Sequence, residues 1–115
     1  MSFAPKYTFL AWCPDYTEEG TLQRRLAVRP QHLAKLQTNI EQGVFKFGGF
    51  TTTADSVGAD PADVKINGSN MIFYAESVEE VRKIIEADPY WAHNVWDKER
   101  VDIRPIVVSP LTPLK

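Results

Sequence analysis

The sequence predicts an α+β domain with the element order strand, helix, strand, strand, helix, strand. Three observations predict it. Four short runs are rich in aromatic and apolar residues, and two longer segments repeat apolar residues every three or four positions. The 115 residues suit one domain with one core. Two right-handed βαβ units folded together then give a four-stranded antiparallel sheet with helices on one face. The expected single domain covers residues 1–115, with a core over 6–108 and an extended tail over 109–115, where Pro110 and Pro113 oppose a helix.

The first strand is expected over residues 6–13. Tyr7, Phe9, Ala11 and Cys13 alternate with Thr8, Leu10 and Trp12, so both faces are largely apolar. Pro14 ends the run because it cannot donate to a ladder. A helix follows from Thr21 to Val28, with Leu22 and Leu26 four apart. Arg29 precedes Pro30 and is disfavoured in the α region, so the helix is expected to break here and restart with Pro30 in its first turn. The second segment reaches Gln42 with Leu33, Leu36 and Ile40 as its apolar stripe, and Gly43 stops it.

A short strand is expected over 44–47, ended by Gly48-Gly49, and then a long loop from Phe50 to Gly68. The third strand is expected over 69–75, again apolar on both faces. Ser77 with Glu80 three residues on is a capping-box signature for the next helix, whose stripe is Val78, Val81, Ile84 and Ile85. Asp88-Pro89 ends it. Residues 90–96 read as a short aromatic turn or helix, and the last strand is expected over 101–108.

Hydrophobic residues make up 43% and charged residues 24%, ordinary globular usage. The net charge is −2 with both signs interspersed, which argues against a nucleic-acid surface built on clustered Lys and Arg. No apolar run approaches the roughly 20 residues needed to span a bilayer, so no membrane association is expected. Met1 to Lys6 has no apolar leader pattern. The single cysteine, Cys13, allows no intrachain disulfide and fits a reducing compartment, so a cytoplasmic location is expected. The sheet face left open by the helices carries large apolar side chains. A homodimer through that face is expected.

Asp88 is the sharpest chemical clue. At about 100° per residue it falls within the arc of Val78, Val81, Ile84 and Ile85. An ionised carboxylate there is costly without a partner, and a helix C-terminus disfavours it further. Both effects should raise its pKa unless a donor compensates, which would suit a catalytic group. The other reading is that the helix has frayed and Asp88 caps the turn before Tyr90, since Asp before Pro is a common turn signal. His32 lies one turn before Leu36 at the edge of the apolar stripe. An imidazole there suits proton transfer, and it also suits an ordinary helix boundary. Arg29 falls on the same side if the helix is continuous, either to hold an anionic group or to make a surface ion pair.

Cys13 has no neighbouring cation in sequence and reads as a packed core residue. His93 has no metal-ligand spacing to any other residue, so no metal is expected. Phe45, Phe47 and Phe50 are too poor a match to an RNA-stacking strand and read as core or pocket lining. Gly48-Gly49 precedes no helix and is not a phosphate loop.

Several of these residues together resemble a known family. The run from Arg25 through Val28, Arg29-Pro30 and His32-Leu33, then Gly43 before a strand with Gly48-Gly49, then Ala87-Asp88-Pro89-Tyr90, and a last strand near 101–106 are similar to the YCII-related (YciI-like) family. The resemblance covers roughly residues 6–106. It implies a ferredoxin-like fold dimerising through its sheets into an α+β barrel. It also implies that His32 and Asp88 line a pocket as a dyad. The chain departs from that pattern in its long polar 51–68 segment and in the bulk of Trp91, His93 and Trp96.

The function this resemblance implies is a cofactor-independent lyase, of the dehydrochlorinase kind, or an isomerase acting on a small cyclic or aromatic oxygenated molecule. His32 would be the general base and Asp88 its orienting partner, with Arg29, Tyr90 and Phe47 against the substrate. The alternative is a non-catalytic protein that holds a small ligand in the same pocket. Hydrogen-bond reach between His32 and Asp88, facing one cavity, would favour the dyad.

Overall fold

A computed structural model describes residues 4–111. Its strands are β1 (Tyr7–Pro14), β2 (Phe45–Thr52), β3 (Ile66–Ala75) and β4 (Asp102–Ile106), and its helices are α1 (Thr21–Glu41), α2 (Val78–Glu86) and the short α3 (Pro89–Ala92). The strands form one sheet in the order β2-β3-β1-β4, with every neighbouring pair antiparallel. The expected βαββαβ order is therefore observed.

The alternation in β1 decides which face carries the core. Phe9, Ala11 and Cys13 are buried beside Met71, Phe73 and Ala75 of β3, and α2 adds Val81 and Ile85. The capping box at Ser77 is present: the Ser77 hydroxyl accepts the Glu80 N–H at 3.1 Å. Glu80 reaches back to the N–H of Glu76, one residue before the cap. On the opposite face, Leu10, Trp12 and Ile72 are half-buried, and Phe47 and Tyr74 are exposed. Trp12 lies across Gly68, where an added Cβ would come within 2.6 Å of the indole ring.

Four expectations need correction. Helix α1 does not break at Pro30; it runs through it. Pro30 sits on the solvent side, opposite the buried Arg25, Val28 and His32. The carbonyl it leaves unpaired, that of Leu26, is on an exposed turn open to water. Gly43 ends the helix as expected, with φ 74° and Val44 N–H donating to the Asn39 carbonyl at 2.9 Å.

The leucine stripes are not the buried face of α1. Thr21, Arg25, Val28 and His32 are buried, at spacings of four, three and four, while Leu22, Leu26, Leu33 and Ile40 are exposed a quarter-turn away. Strand β2 does not stop at Gly48-Gly49 but continues to Thr52, with a register shift between Phe45 and Phe47. Gly48 keeps the ladder close, because a Cβ there would meet the Asn70 carbonyl oxygen at 2.6 Å.

The segment expected as one long loop is shorter. Strand β3 already begins at Ile66, and short 3-10 turns occupy Ala54–Ser56 and Pro61–Asp63. Of the expected extended tail, residues 112–115 lie outside the described residues. No helix among the described residues is long and apolar enough to cross a membrane.

Candidate functional site

The buried stripe of α1 is polar at both ends, and each polar group needs a partner. Arg25 finds one at the end of β1. Its Nε and Nη2 donate to the two Asp15 carboxylate oxygens at 2.9 and 3.0 Å. This is a buried two-point ion pair. Nη2 also donates to the Ser69 hydroxyl at 2.9 Å, and Trp96 Nε1 donates to the same oxygen at 3.1 Å. Both acceptor positions of that hydroxyl are then filled, so its own O–H is left to donate. Ser69 and Arg25 both line a groove between α1 and strands β2 and β3.

His32 lies two turns further along α1. Its Nδ1 is 2.9 and 2.8 Å from the two oxygens of Asp88. Both residues are buried, at 7% and 8% exposure. Asp88 follows α2 and caps α3: its Oδ1 accepts the Tyr90 N–H at 2.8 Å, and Pro89 occupies the first helical position. The cap expected before Tyr90 is present, and the same carboxylate also meets His32.

A carboxylate can only accept, so Nδ1 carries a proton, and in the neutral imidazole the lone pair is then on Nε2. The side-chain hydrogen bonds of His32 all run through Nδ1. Among the described residues no buried side-chain nitrogen or oxygen lacks a partner. His32 lines the groove, and its Nε2 takes no part in the bonds to Asp88.

Tyr90 ties the two halves together. Its ring stacks on the imidazole with centroids 3.9 Å apart and planes 14° from parallel, and the Arg25 guanidinium lies 4.5 Å from its centroid. Trp96 meets both rings edge-on. Burial pushes the Tyr90 hydroxyl above its ordinary pKa, offset in part by the charges of Arg25 and Arg29. The α3–β4 connection is anchored in turn by Arg24, whose Nη2 donates to the Asn94 carbonyl at 2.9 Å.

The groove encloses about 410 Å³. Arg29 borders it as an exposed cation, and no Asp or Glu lines it. Asp88 borders a separate cleft with Lys35 and Lys83, and touches the groove's lining through His32 and Tyr90.

Of the residues singled out in the sequence, His32, Arg29 and Tyr90 line one groove, with Asp88 behind the imidazole. Phe47 does not belong there. The register shift after Phe45 pairs Phe47 with Ile72 on the opposite face of the sheet, 57% exposed, and Phe45 and Phe50 line the groove instead.

Cys13 is fully buried; desolvation, then the Asp88 charge, push its thiol up to about 12. His93 is exposed at the end of α3. Among the described residues no three His, Cys, Asp or Glu side chains gather to hold a metal. Asp15, Arg25 and Ser69 were missed as site residues. The available signal was that Arg25 sits two turns before His32, on the same helical face.

The model of the YCII-related domain matches residues 9–106. Protein YciI of Escherichia coli is 38% identical over 85 residues, covering 74% of this chain and 83% of its own. The derivative of benzaldehyde biosynthesis cluster protein C of Emericella nidulans is 38% identical over 87 residues, covering 76% and 86%. Among solved structures, 5-chloro-2-hydroxyhydroquinone dehydrochlorinase of Burkholderia phenoliruptrix, in complex with 2,5-dihydroxybenzoquinone, superimposes with a TM-score of 0.68. It is 29% identical and covers 84% of this chain and 90% of that one.

Proposed function

The chain belongs to the YCII-related domain family, and on that premise we propose that it is a small-molecule lyase or isomerase that works by acid–base chemistry on an oxygenated ring. One observation carries the proposal: His32 is hydrogen-bonded through Nδ1 to Asp88 and lines a groove without acidic lining. The dehydrochlorinase likeness and the biosynthesis-cluster relative support small-molecule chemistry.

In this reading Nε2 of His32 takes a proton from a ring hydroxyl, leaving a phenolate, or from a carbon next to a carbonyl, leaving an enolate. In either case negative charge gathers on the substrate oxygen until the pair moves back through the ring. Arg25 and the Ser69 O–H, which line the same groove, then stabilise that oxygen, with Asp15 holding the guanidinium. In an elimination the leaving group departs with its bonding pair, as chloride would. In an isomerisation His32 returns the proton at another carbon. Asp88 fixes the tautomer and offsets the imidazolium charge. Neither route requires a cofactor. Arg29 draws an anionic substrate toward the groove.

We further propose that the exposed apolar sheet face is covered by a second copy of the chain. The test of function is turnover of 5-chloro-2-hydroxyhydroquinone and of small lactones, followed by absorbance and chloride release. Wild type is expected to turn over at least one, and His32→Gln to lose turnover while keeping its melting temperature within a few degrees. Binding without turnover would assign a ligand-holding role. Turnover that survives in His32→Gln would remove the imidazole as the base.

A further inference from the structure

The groove is much longer than one ring. Arg25 and Ile40 both line it, and they lie fifteen residues apart on one helix, about 22 Å at 1.5 Å per residue. Its polar groups are gathered toward one end, where Arg25, Arg29, His32 and Ser69 meet. From His32 onward, for roughly another 12 Å of helix, the walls are Leu33, Leu36, Ile40 and Phe45, with Gln37 as the one polar side chain on that stretch of α1.

Core packing does not account for these aliphatic residues. The buried stripe of α1 is the polar one, and Leu33 and Ile40 remain 44% and 48% exposed along the groove. An apolar occupant would remove that surface from water.

We propose that this arm is a subsite for an apolar substituent. The substrate is then an oxygenated ring or carbonyl head carrying an alkyl or aryl tail, rather than a bare ring. The proposal rests on the head-site reading above, and it adds which molecules the head site receives. The tail gains from burial of hydrocarbon, while the head is oriented by the cations and the imidazole.

Calorimetric titration of the full chain tests it with two probe series. One is 2,5-dihydroxybenzoquinone with its 3-methyl, 3-butyl and 3-hexyl forms. The other is straight-chain carboxylates from butanoate to decanoate. Kd is expected to fall about two- to fourfold per added methylene until the arm is filled. That gradient should flatten in Ile40→Asp and in Leu33→Asn, both at half-exposed positions that tolerate polarity. Equal affinity along both series, or an unchanged gradient in both variants, overturns the subsite. A gradient among the carboxylates with no hydroxyquinone binding supports the arm and removes the head reading instead.

Discussion

Asp88 holds the His32 imidazole at 2.8 Å and, through its Oδ1, also accepts the Tyr90 N–H at 2.8 Å. One carboxylate thus sets the tautomer of the imidazole and starts the helix that stacks a phenol ring on it. The two roles separate by substitution. Asp88→Asn keeps an oxygen for the cap and gives up the charge. It is expected to stay folded and to lose about 10²- to 10⁴-fold in turnover. Asp88→Ala also loses the cap, at a further cost of about 0.5–2 kcal/mol. Kinetics and thermal melts on the two variants check both statements.

The Arg25–Asp15 pair is buried on both sides. Removing one partner strands a charge out of water. Asp15→Ala is expected to cost about 3–5 kcal/mol, read as a shift in the urea midpoint. Asp15→Leu combined with Arg25→Met strands no charge and is expected to be less destabilised than either single change. A double variant whose loss equals the sum of the singles would show that the pair is not coupled.

Cys13 makes alkaline stability a probe of the core. Its thiol is raised from 9.0 to about 12 in the folded chain. Above pH 9 the unfolded chain gives up this proton first, so the folded state binds more protons and stability falls as pH rises. The loss runs from the unfolded value up to the folded one, at no more than about 1.4 kcal/mol per pH unit. Denaturation at several pH values between 9 and 11 should show a shallower decline in Cys13→Ala than in wild type. Equal slopes would count against a protonated buried thiol.

The proposed dimer depends on Phe47 and Ile72, cross-strand neighbours on the face away from the helices. Solution scattering at micromolar concentration is expected to give the mass of two chains. Ile72→Asp should give the mass of one, because a charge at the centre of a covered apolar face is costly. A wild type that scatters as a single chain at that concentration removes the proposal.

The fold was largely legible because alternation in β1 and β3, the Ser77–Glu80 box and the Gly43 stop act locally. Helix α1 was misread because its face was assigned from leucines. Periodicity reports which residues share a face, and it does not report which face turns inward. Ion pairing with Asp15, ten residues back, and hydrogen bonding to Asp88, 56 residues on, decide that Arg25 and His32 are the buried ones. Phe47 was misplaced for a related reason. A single shift of register moves a side chain to the other face, and nothing in the Phe45–Phe50 composition marks where the shift falls. Ser69 was invisible because its value lies in two donors, from α1 and from Trp96, that only the folded chain aims at it.

Asp88, Pro89 and Tyr90 are consecutive residues with three different tasks: the first accepts from the imidazole, the second sets the turn, and the third supplies the ring that supports the imidazole from the side. A relative without the proposed reaction would still need the tripeptide for as long as it needed α3 to form. Persistence of these three residues among relatives is therefore weak testimony to activity. On the proposed reading His32, which takes no part in capping α3, is the position where loss of the chemistry would first become visible.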